Sequence, residues 1–142
     1  MKRNLGQAED LDRPPAQAAV DAFYAAMKPY WHPVLRASAL REDQPNAIRL
    51  LGTEVVLVRL DGEVCALRNA CRHFQAPLSL GRVTEVNGQQ CLQCPYHGWA
   101  YGADGRCTRI PQLAPGKSIP QSAAVPRYAV KIAYGVIWVC LA

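Results

Sequence analysis

The sequence predicts a small all-β domain, an antiparallel sandwich or barrel, preceded by one short helix. The chain has 142 residues, half of them hydrophobic, which is enough for one domain with its own core. From Trp31 onward, short runs rich in Val, Ile and Leu alternate with turn-forming pairs. Three such pairs are typical of β-hairpins: Asp61-Gly62, Asn87-Gly88 and Asp104-Gly105.

One helix is expected near the N-terminus. Asp12 precedes Pro14 and Pro15, an arrangement typical of a helix N-cap with proline in the first turn. Four apolar residues then follow at the spacing of one helical face: Val20, Phe23, Tyr24 and Met27. We interpret this face as core packing, and Pro29 as the end of the helix. Residues 1–13 are polar and predicted to be mobile.

Nine short strands are expected after the helix. They cover residues 31–35, 47–51, 54–60, 63–69, 81–85, 89–93, 99–101, 128–132 and 136–141. The long segment between the expected strands at 99–101 and 128–132 contains four prolines. We predict that it forms an ordered loop over one end of the sheets. We therefore divide the chain into an N-terminal tail and helix, residues 1–30, and a β domain, residues 31–142.

The charge balance argues against nucleic acid or an anionic membrane as the main partner. Sixteen Lys and Arg against eleven Asp and Glu leave a net charge of +5, without a long basic run. No apolar run approaches the ~20 residues that span a bilayer. The N-terminal segment also lacks the apolar core of a signal peptide. We expect a soluble, cytoplasmic protein.

The chemistry is concentrated in two loops, each with one cysteine and one histidine on an expected hairpin tip. Cys71 and His73 lie in the first loop, and Cys94 and His97 in the second. Two thiolates and two imidazoles bind either a tetrahedral zinc ion or a [2Fe-2S] cluster with two Cys on one iron and two His on the other. Zinc fingers group their cysteines together and their histidines together, whereas each loop here supplies one of each. The spacing therefore favours the cluster, with the cysteines at an inner iron and the histidines at an outer iron.

A rival zinc site remains open, because Cys91 and Cys94 form a C-x-x-C pair that would join Cys71 and His73. Cys91 lies in a strand pattern, which argues against it. The other three cysteines are interpreted as buried small apolar residues: Cys65, Cys107 and Cys140. Three glycines mark places where the backbone turns tightly or approaches a cluster: Gly81, Gly98 and Gly102.

The two loops resemble the Rieske iron–sulfur motif, in the form found in Rieske non-heme iron oxygenases. The matching segments are Cys71-Arg72-His73 and Cys94-Pro95-Tyr96-His97-Gly98-Trp99. Similar segments elsewhere are 31–34, 76–81, 101–111 and 135–139. The resemblance implies a Rieske-type β-sandwich or barrel and a [2Fe-2S] cluster held by Cys71, His73, Cys94 and His97. One departure is a long interval between His73 and Cys94, which we expect the hairpin at Asn87-Gly88 to absorb.

The resemblance also separates this chain from respiratory Rieske proteins. Those proteins carry an extra cysteine in each loop, paired as a disulfide, where this chain has Ala76 and Tyr96. They also place a serine, which hydrogen-bonds a cluster sulfur, where this chain has Trp99. Fewer such bonds stabilise the reduced cluster less, so we predict a reduction potential near the low end of the Rieske range, about −150 mV.

Arginines near the loops and the remaining histidine complete the candidates. Arg68, Arg72 and Arg82 either form a basic rim that steers an acidic redox partner or are ordinary solvated side chains. With His73 and His97 assigned to the cluster, only His32 remains, and we interpret it as structural. The two histidines and one carboxylate of a mononuclear iron site therefore cannot be assembled, and no catalytic residue is expected in this chain.

Two functions follow from the resemblance. In the first, these residues are the Rieske domain of a non-heme iron oxygenase that hydroxylates or demethylates an organic substrate, seen without its catalytic domain. The resemblance then implies an oligomer, often a trimer, with a reductase or ferredoxin upstream and a mononuclear iron domain downstream. In the second, the chain is a free-standing Rieske ferredoxin; such proteins generally lack the segment that precedes the sheet here. A zinc-stabilised β module that binds another protein is a third reading.

Overall fold

The computed structural model describes residues 14–142 and confirms a mostly β fold with one short N-terminal helix. The elements are α1 Gln17–Met27, β1 His32–Arg36, β2 Asn46–Leu50, β3 Thr53–Leu60, β4 Glu63–Arg68, β5 Arg82–Val86, β6 Gln89–Gln93, β7 Ala100–Tyr101, β8 Cys107–Arg109, β9 Arg127–Ala133 and β10 Val136–Cys140. No helix among these residues combines the length and apolar character that crossing a membrane requires.

The strands form two antiparallel sheets. The larger has the order β1-β10-β9-β4-β3-β2, and the smaller has the order β5-β6-β7-β8. β3 is buried on both faces, since Val55 and Leu57 belong to one core cluster and Val56 and Val58 to another. This explains its nearly continuous apolar sequence. The second of these clusters includes Leu78, Leu92 and Tyr101, so the connections that carry the site begin from a packed core.

The predicted turn pairs end hairpins where the sequence places them. Asp61-Gly62 joins β3 to β4 and Asn87-Gly88 joins β5 to β6, with positive φ at all four residues, as a type I′ turn requires. Gly105 has φ +81 in the connection between β7 and β8. Two further turns, Leu51-Gly52 and Tyr134-Gly135, use the same backbone conformation without the Asn or Asp that signals it in sequence.

The prediction that one face of the helix packs into the core is wrong. No residue of α1 is buried, and Phe23 is 57% exposed. The ring of Tyr24 lies against Gly52 in the β2–β3 turn, so the helix packs at the edge of the sheet. The apolar face of the helix is therefore only partly buried. Its preceding residue is Ala16, which makes no side-chain cap, and both prolines precede the helix. The predicted cap, Asp12, and the tail before it lie outside the described residues.

The sequence analysis missed β8, which has three residues in a polar stretch and no alternation to reveal it. Its partner is β7. The proline-containing segment after β8 packs on the sheet as expected: Ala123 and Val125 are buried, and the N–H of Val125 donates to the carbonyl of Gly105 (2.9 Å).

Candidate metal centre

The two predicted loops differ in their connections. The first, residues 69–81, leaves β4 in the larger sheet and enters β5 in the smaller one, so it crosses between sheets and is not a hairpin tip as expected. The second, residues 94–99, joins the paired strands β6 and β7 and is a hairpin. The β5–β6 hairpin, with its turn at Asn87-Gly88, lies between the two loops along the chain. This hairpin accommodates the long interval between His73 and Cys94.

Hydrogen bonds fix the shape of the first loop. The side chain of Asn69 forms a clasp with Ser79, donating to its hydroxyl and accepting from its N–H, both at 2.8 Å. Inside the clasp, the N–H of Cys71 donates to Ala76, and the N–H of Gln75 donates back to Cys71, again at 2.8 Å each. The clasp and this tight turn together set the position of the segment that carries Cys71 and His73.

The second loop is closed at its base and braced from outside. The N–H of Cys94 donates to the carbonyl of Trp99 (2.7 Å), and Gly98 adopts φ +76, which favours glycine. Gln112, in the segment after β8, donates from its side-chain amide to the carbonyl of His97 (2.8 Å). Pro111 lies against Gly98. Sequence analysis did not identify Gln112, because its contact joins residues fifteen positions apart without a local pattern.

The four candidate ligands come together as two pairs at different depths. The thiol groups of Cys71 and Cys94 belong to residues that are 1% and 2% exposed. The rings of His73 and His97 are half-buried, with their centroids 5.2 Å apart. Within residues 14–142, no group of three or more His, Cys, Asp or Glu side chains surrounds a site for a single ion. The structure therefore places the paired thiols inside and the paired imidazoles outside.

Two backbone N–H groups point at the sulfur of Cys94. Burial raises the pKa of the Cys94 thiol, while backbone hydrogen bonds from Tyr96 and His97 lower it and the neighbouring Cys71 thiol raises it. The raised pKa means that the thiol is neutral until a metal displaces its proton. The two backbone donors are then available to the negatively charged sulfur.

Aromatic rings surround the imidazoles. The indole of Trp99 stacks on His73, with centroids 4.5 Å apart and planes 7° from parallel. Tyr96 meets His97 edge-on at 4.1 Å, and Phe74 lies 4.0 Å from His73. The Nε1–H of Trp99 is buried and has no hydrogen-bond partner within the described residues. Buried donors are normally paired, so this N–H, on a ring that stacks against His73, fits a site whose bound group supplies an acceptor.

Tyr101 is a residue of the site that sequence analysis did not identify. Its hydroxyl lies 3.2 Å from the sulfur of Cys71 and accepts a hydrogen bond from the N–H of Arg72 (3.0 Å). Burial raises the pKa of Tyr101 far above its usual value, and the contact with Cys71 raises it further. The phenol therefore stays protonated and donates to the sulfur whenever the sulfur is a thiolate.

The other cysteines and His32 lie elsewhere. Cys91 contacts the hydroxyl of Thr108 (3.3 Å) in β8, on the opposite face of β6 from Leu92, so the structure does not bring it to the other candidate zinc ligands. Cys65 and Cys107 are buried, and burial raises the pKa of each thiol. Cys140 is only partly buried, contrary to expectation, and its thiol donates to the carbonyl of Lys28 (3.4 Å). A nitrogen of His32 lies 2.9 Å from the carbonyl of Met27, which ties β1 to the end of α1.

Comparison with known proteins assigns the family. Residues 30–129 match the Rieske [2Fe-2S] domain. The chain belongs to this family. The match spans both loops and most of the two sheets, and it implies a Rieske-type [2Fe-2S] cluster as the cofactor of this domain.

Several oxygenases and demethylases contain a similar Rieske domain. Methylxanthine N1-demethylase NdmA of Pseudomonas putida is 37% identical over 130 residues, which cover 88% of this chain. Pheophorbide a oxygenase of Oryza sativa subsp. japonica is 34% identical and aligns with 94% of this chain. The crystal structure of dicamba monooxygenase superposes with a TM-score of 0.71 at 34% identity, covering 81% of this chain and 35% of that one.

The Rieske domain of NdmB superposes still better. The structure of NdmB from Pseudomonas putida CBB5 has a TM-score of 0.77 at 36% identity, over 84% of this chain and 36% of that one. The present chain spans about a third of the relatives' length, since the alignments cover 36% of NdmA and 34% of NdmB. The similarity is therefore to the Rieske part of these proteins.

The residues present fit a Rieske cluster. The donor set is two thiols and two imidazoles in separate pairs, which suits a cluster that takes two Cys on one iron and two His on the other. Backbone donors from Tyr96 and His97 face the inner sulfur, and the hydroxyl of Tyr101 faces the sulfur of Cys71. Such donors to sulfur tune the reduction potential of iron–sulfur centres.

The hydrogen bond from Tyr101 leads to a testable shift in reduction potential. A donor to a ligand sulfur stabilises the more negative, reduced state, so Tyr101→Phe is expected to lower the midpoint potential. A differential of about 1 kcal/mol between the two states corresponds to about 40 mV for one electron. Potentiometric titration measures the shift, with Tyr96→Phe as a matched control, because the side chain of this exposed residue forms no hydrogen bond with residues 14–142. An unchanged midpoint in Tyr101→Phe would remove this residue from the tuning of the site.

Proposed function

We propose that this chain transfers single electrons through a Rieske [2Fe-2S] cluster held by Cys71, His73, Cys94 and His97. We further propose that it does so as the Rieske domain of a non-heme iron oxygenase that hydroxylates or demethylates an organic substrate. The observation that carries the proposal is the arrangement of the four side chains, with two adjacent buried thiols beneath two adjacent half-buried imidazoles.

When bound, the cluster supplies reversible one-electron transfer. The residues of this chain hold the cluster, bury one side of it and leave the other side accessible. Cys71 and Cys94 hold the inner side in the packed core, where water is excluded. His73 and His97 bring the outer side to the surface, because each residue is only partly buried in its loop. Electrons therefore enter and leave on the histidine side.

Similarity beyond the Rieske segment supports an oxygenase over a free-standing ferredoxin. The alignment with NdmA extends over 130 residues, more than the matched segment 30–129. The related proteins bear the names of demethylases and oxygenases. By analogy, we propose a reductase or ferredoxin as the electron donor and a mononuclear iron site in another domain as the acceptor.

The mass of the native polypeptide separates the two functions. We expect an antibody raised against this domain to detect, in its source, a polypeptide well above 15.6 kDa, the mass of the present chain. A native mass of 15.6 kDa, with a cluster that accepts one electron, would instead support the free-standing ferredoxin. A protein of either size that binds no iron would contradict both.

A further inference from the structure

The indole of Trp99 differs from the other unpaired polar groups of the structure. Within the described residues, three buried side-chain nitrogens have no hydrogen-bond partner, and they belong to Arg59, Trp99 and Arg109. Each arginine has a second nitrogen that is paired. Nη1 of Arg59 donates to the carbonyl of Gly62, and Nη2 of Arg109 donates to the side chain of Gln93. An indole has one polar atom only, so Trp99 leaves its whole hydrogen-bonding capacity unused.

This unpaired group is unfavourable in the structure as it stands. A donor that is removed from water without gaining an acceptor destabilises a fold, and buried donors are therefore nearly always paired. Trp138 follows that rule, because its Nε1–H donates to the carbonyl of Ala133 (3.1 Å). The different behaviour of Trp99 indicates that its acceptor belongs to a group that binds at this place.

The place is the candidate metal centre, where Trp99 contacts both ligand loops. Its ring stacks on His73 of the first loop, with centroids 4.5 Å apart. Its carbonyl accepts from the N–H of Cys94 in the second loop (2.7 Å). Its side chain also packs against the core cluster that contains Cys71 and Cys94. These contacts fix the indole beside the four candidate ligands without using its N–H.

Sulfur atoms are the acceptors that a Rieske cluster brings to this place. A bound [2Fe-2S] cluster contains two inorganic sulfides, and its two cysteine ligands add two thiolate sulfurs. All four are negatively charged acceptors that the free thiols do not match. Hydrogen bonds to such sulfurs set the reduction potential, because they stabilise the reduced state, which carries one more negative charge.

We propose that the Nε1–H of Trp99 donates a hydrogen bond to a sulfur atom of the bound cluster and thereby raises its reduction potential. The proposal rests on the proposed function, since it requires the cluster. The low potential expected from the sequence assumes that Trp99, in the place of a serine, contributes no donor. With the indole as donor, the midpoint potential lies above the low end of the Rieske range.

An isosteric amino acid tests the donor without disturbing the stack on His73. β-(3-Benzothienyl)alanine keeps the bicyclic shape of tryptophan and has sulfur in place of the N–H. Because the chain has three tryptophans, the analogue is incorporated into both the wild-type chain and Trp99→Phe. In the wild-type background, we expect the equilibrium constant for one-electron reduction to fall about fivefold, a shift of about 40 mV at 59 mV per tenfold.

The Trp99→Phe background isolates this position from the other two tryptophans. There the analogue replaces only Trp31 and Trp138, and we expect the equilibrium constant to change less than about 1.5-fold. Trp138→Phe is a second control, because it removes a paired indole from the larger sheet and is expected to leave the midpoint potential unchanged. Equal shifts in the two backgrounds, or no shift in either, would overturn the proposal.

A spectroscopic measurement on the unsubstituted chain does not depend on how well a variant folds. Tryptophan labelled with ¹⁵N at the indole nitrogen is incorporated, and the reduced cluster is studied by electron–nuclear double resonance. A hydrogen bond to sulfur transfers unpaired spin to the donor nitrogen, so we expect an isotropic ¹⁵N coupling that Trp138→Phe retains. A purely dipolar coupling would mean that the nitrogen is close without donating, and it would overturn the proposal.

These outcomes are distinct from a failure of the proposed function. A chain that binds no cluster, or whose cluster does not accept one electron from dithionite, would contradict electron transfer itself. A cluster that is reduced normally, with an unshifted midpoint potential in the analogue and no isotropic coupling, would overturn the role of Trp99 alone.

Discussion

Cys71→Ser and Cys94→Ser are each expected to abolish the visible absorption of the cluster, whereas Cys91→Ser is expected to leave it intact. The thiols of the first two residues are neighbours in the core, and Cys91 turns to Thr108 on the other face of β6. Because binding of the metal is coupled to folding, loss of a ligand is also expected to loosen both loops. Iron content, absorption and protease sensitivity of the loops measure these effects.

Cys91→Ser is a close control for this prediction. Cys91 and Cys94 are three residues apart and both are buried. The same substitution at the two positions therefore compares a ligand with a non-ligand cysteine in similar surroundings. Replacement of a buried thiol by a hydroxyl costs some stability wherever it is made. Bleaching of Cys91→Ser at a temperature where the protein remains folded would show that the ligand set is wrong and would revive the C-x-x-C zinc alternative.

Gly81→Ala is expected to destabilise the domain severely and to reduce its cluster content. A methyl group at this position would collide with the carbonyl oxygen of Gln93, the residue directly before Cys94, and would approach the carbonyl of Leu78. Arg82 pairs with Gln93 across β5 and β6, so relief of the collision must move the base of the second loop. Overpacking of a core site typically costs 1–3 kcal/mol, and we expect a loss of about 3 kcal/mol here.

Gly116→Ala separates this collision from an ordinary glycine effect. Gly116 has φ +80 and open space around its α-carbon, so its substitution carries only the cost of a left-handed backbone, about 1 kcal/mol. Urea unfolding and iron analysis of both variants give the comparison. A stability loss no greater for Gly81→Ala than for Gly116→Ala would mean that the backbone at Gly81 yields freely and does not position the second loop.

Local sequence chemistry predicts most of this fold. Asp61-Gly62 and Asn87-Gly88 have few alternatives to tight hairpin turns, and they place the strands on either side of them. The incomplete burial of the apolar face of α1 and the short strand β8 were not predictable in the same way. Helical periodicity reveals that Val20 and Tyr24 share a face and says nothing about what covers it.

The candidate ligands were predictable because each loop carries its cysteine and histidine within a few residues. The groups that hydrogen-bond a ligand sulfur or support a ligand loop were not predictable. Tyr101 meets Cys71 across thirty positions, and Gln112 meets His97 across fifteen, so only the folded chain brings them together. The crossing of the first loop between sheets was missed for a similar reason, since β4 and β5 are neighbours in sequence that pair with other strands.

The most direct test of the central claim is pulsed electron paramagnetic resonance of the reduced, purified chain, combined with iron and acid-labile sulfide analysis. The account predicts two irons and two sulfides per chain, with hyperfine couplings from two histidine nitrogens. We expect His73→Ala and His97→Ala to lose this signal and His32→Ala to keep it. Zinc without sulfide, or an iron–sulfur signal without nitrogen couplings, would contradict a site formed by Cys71, His73, Cys94 and His97.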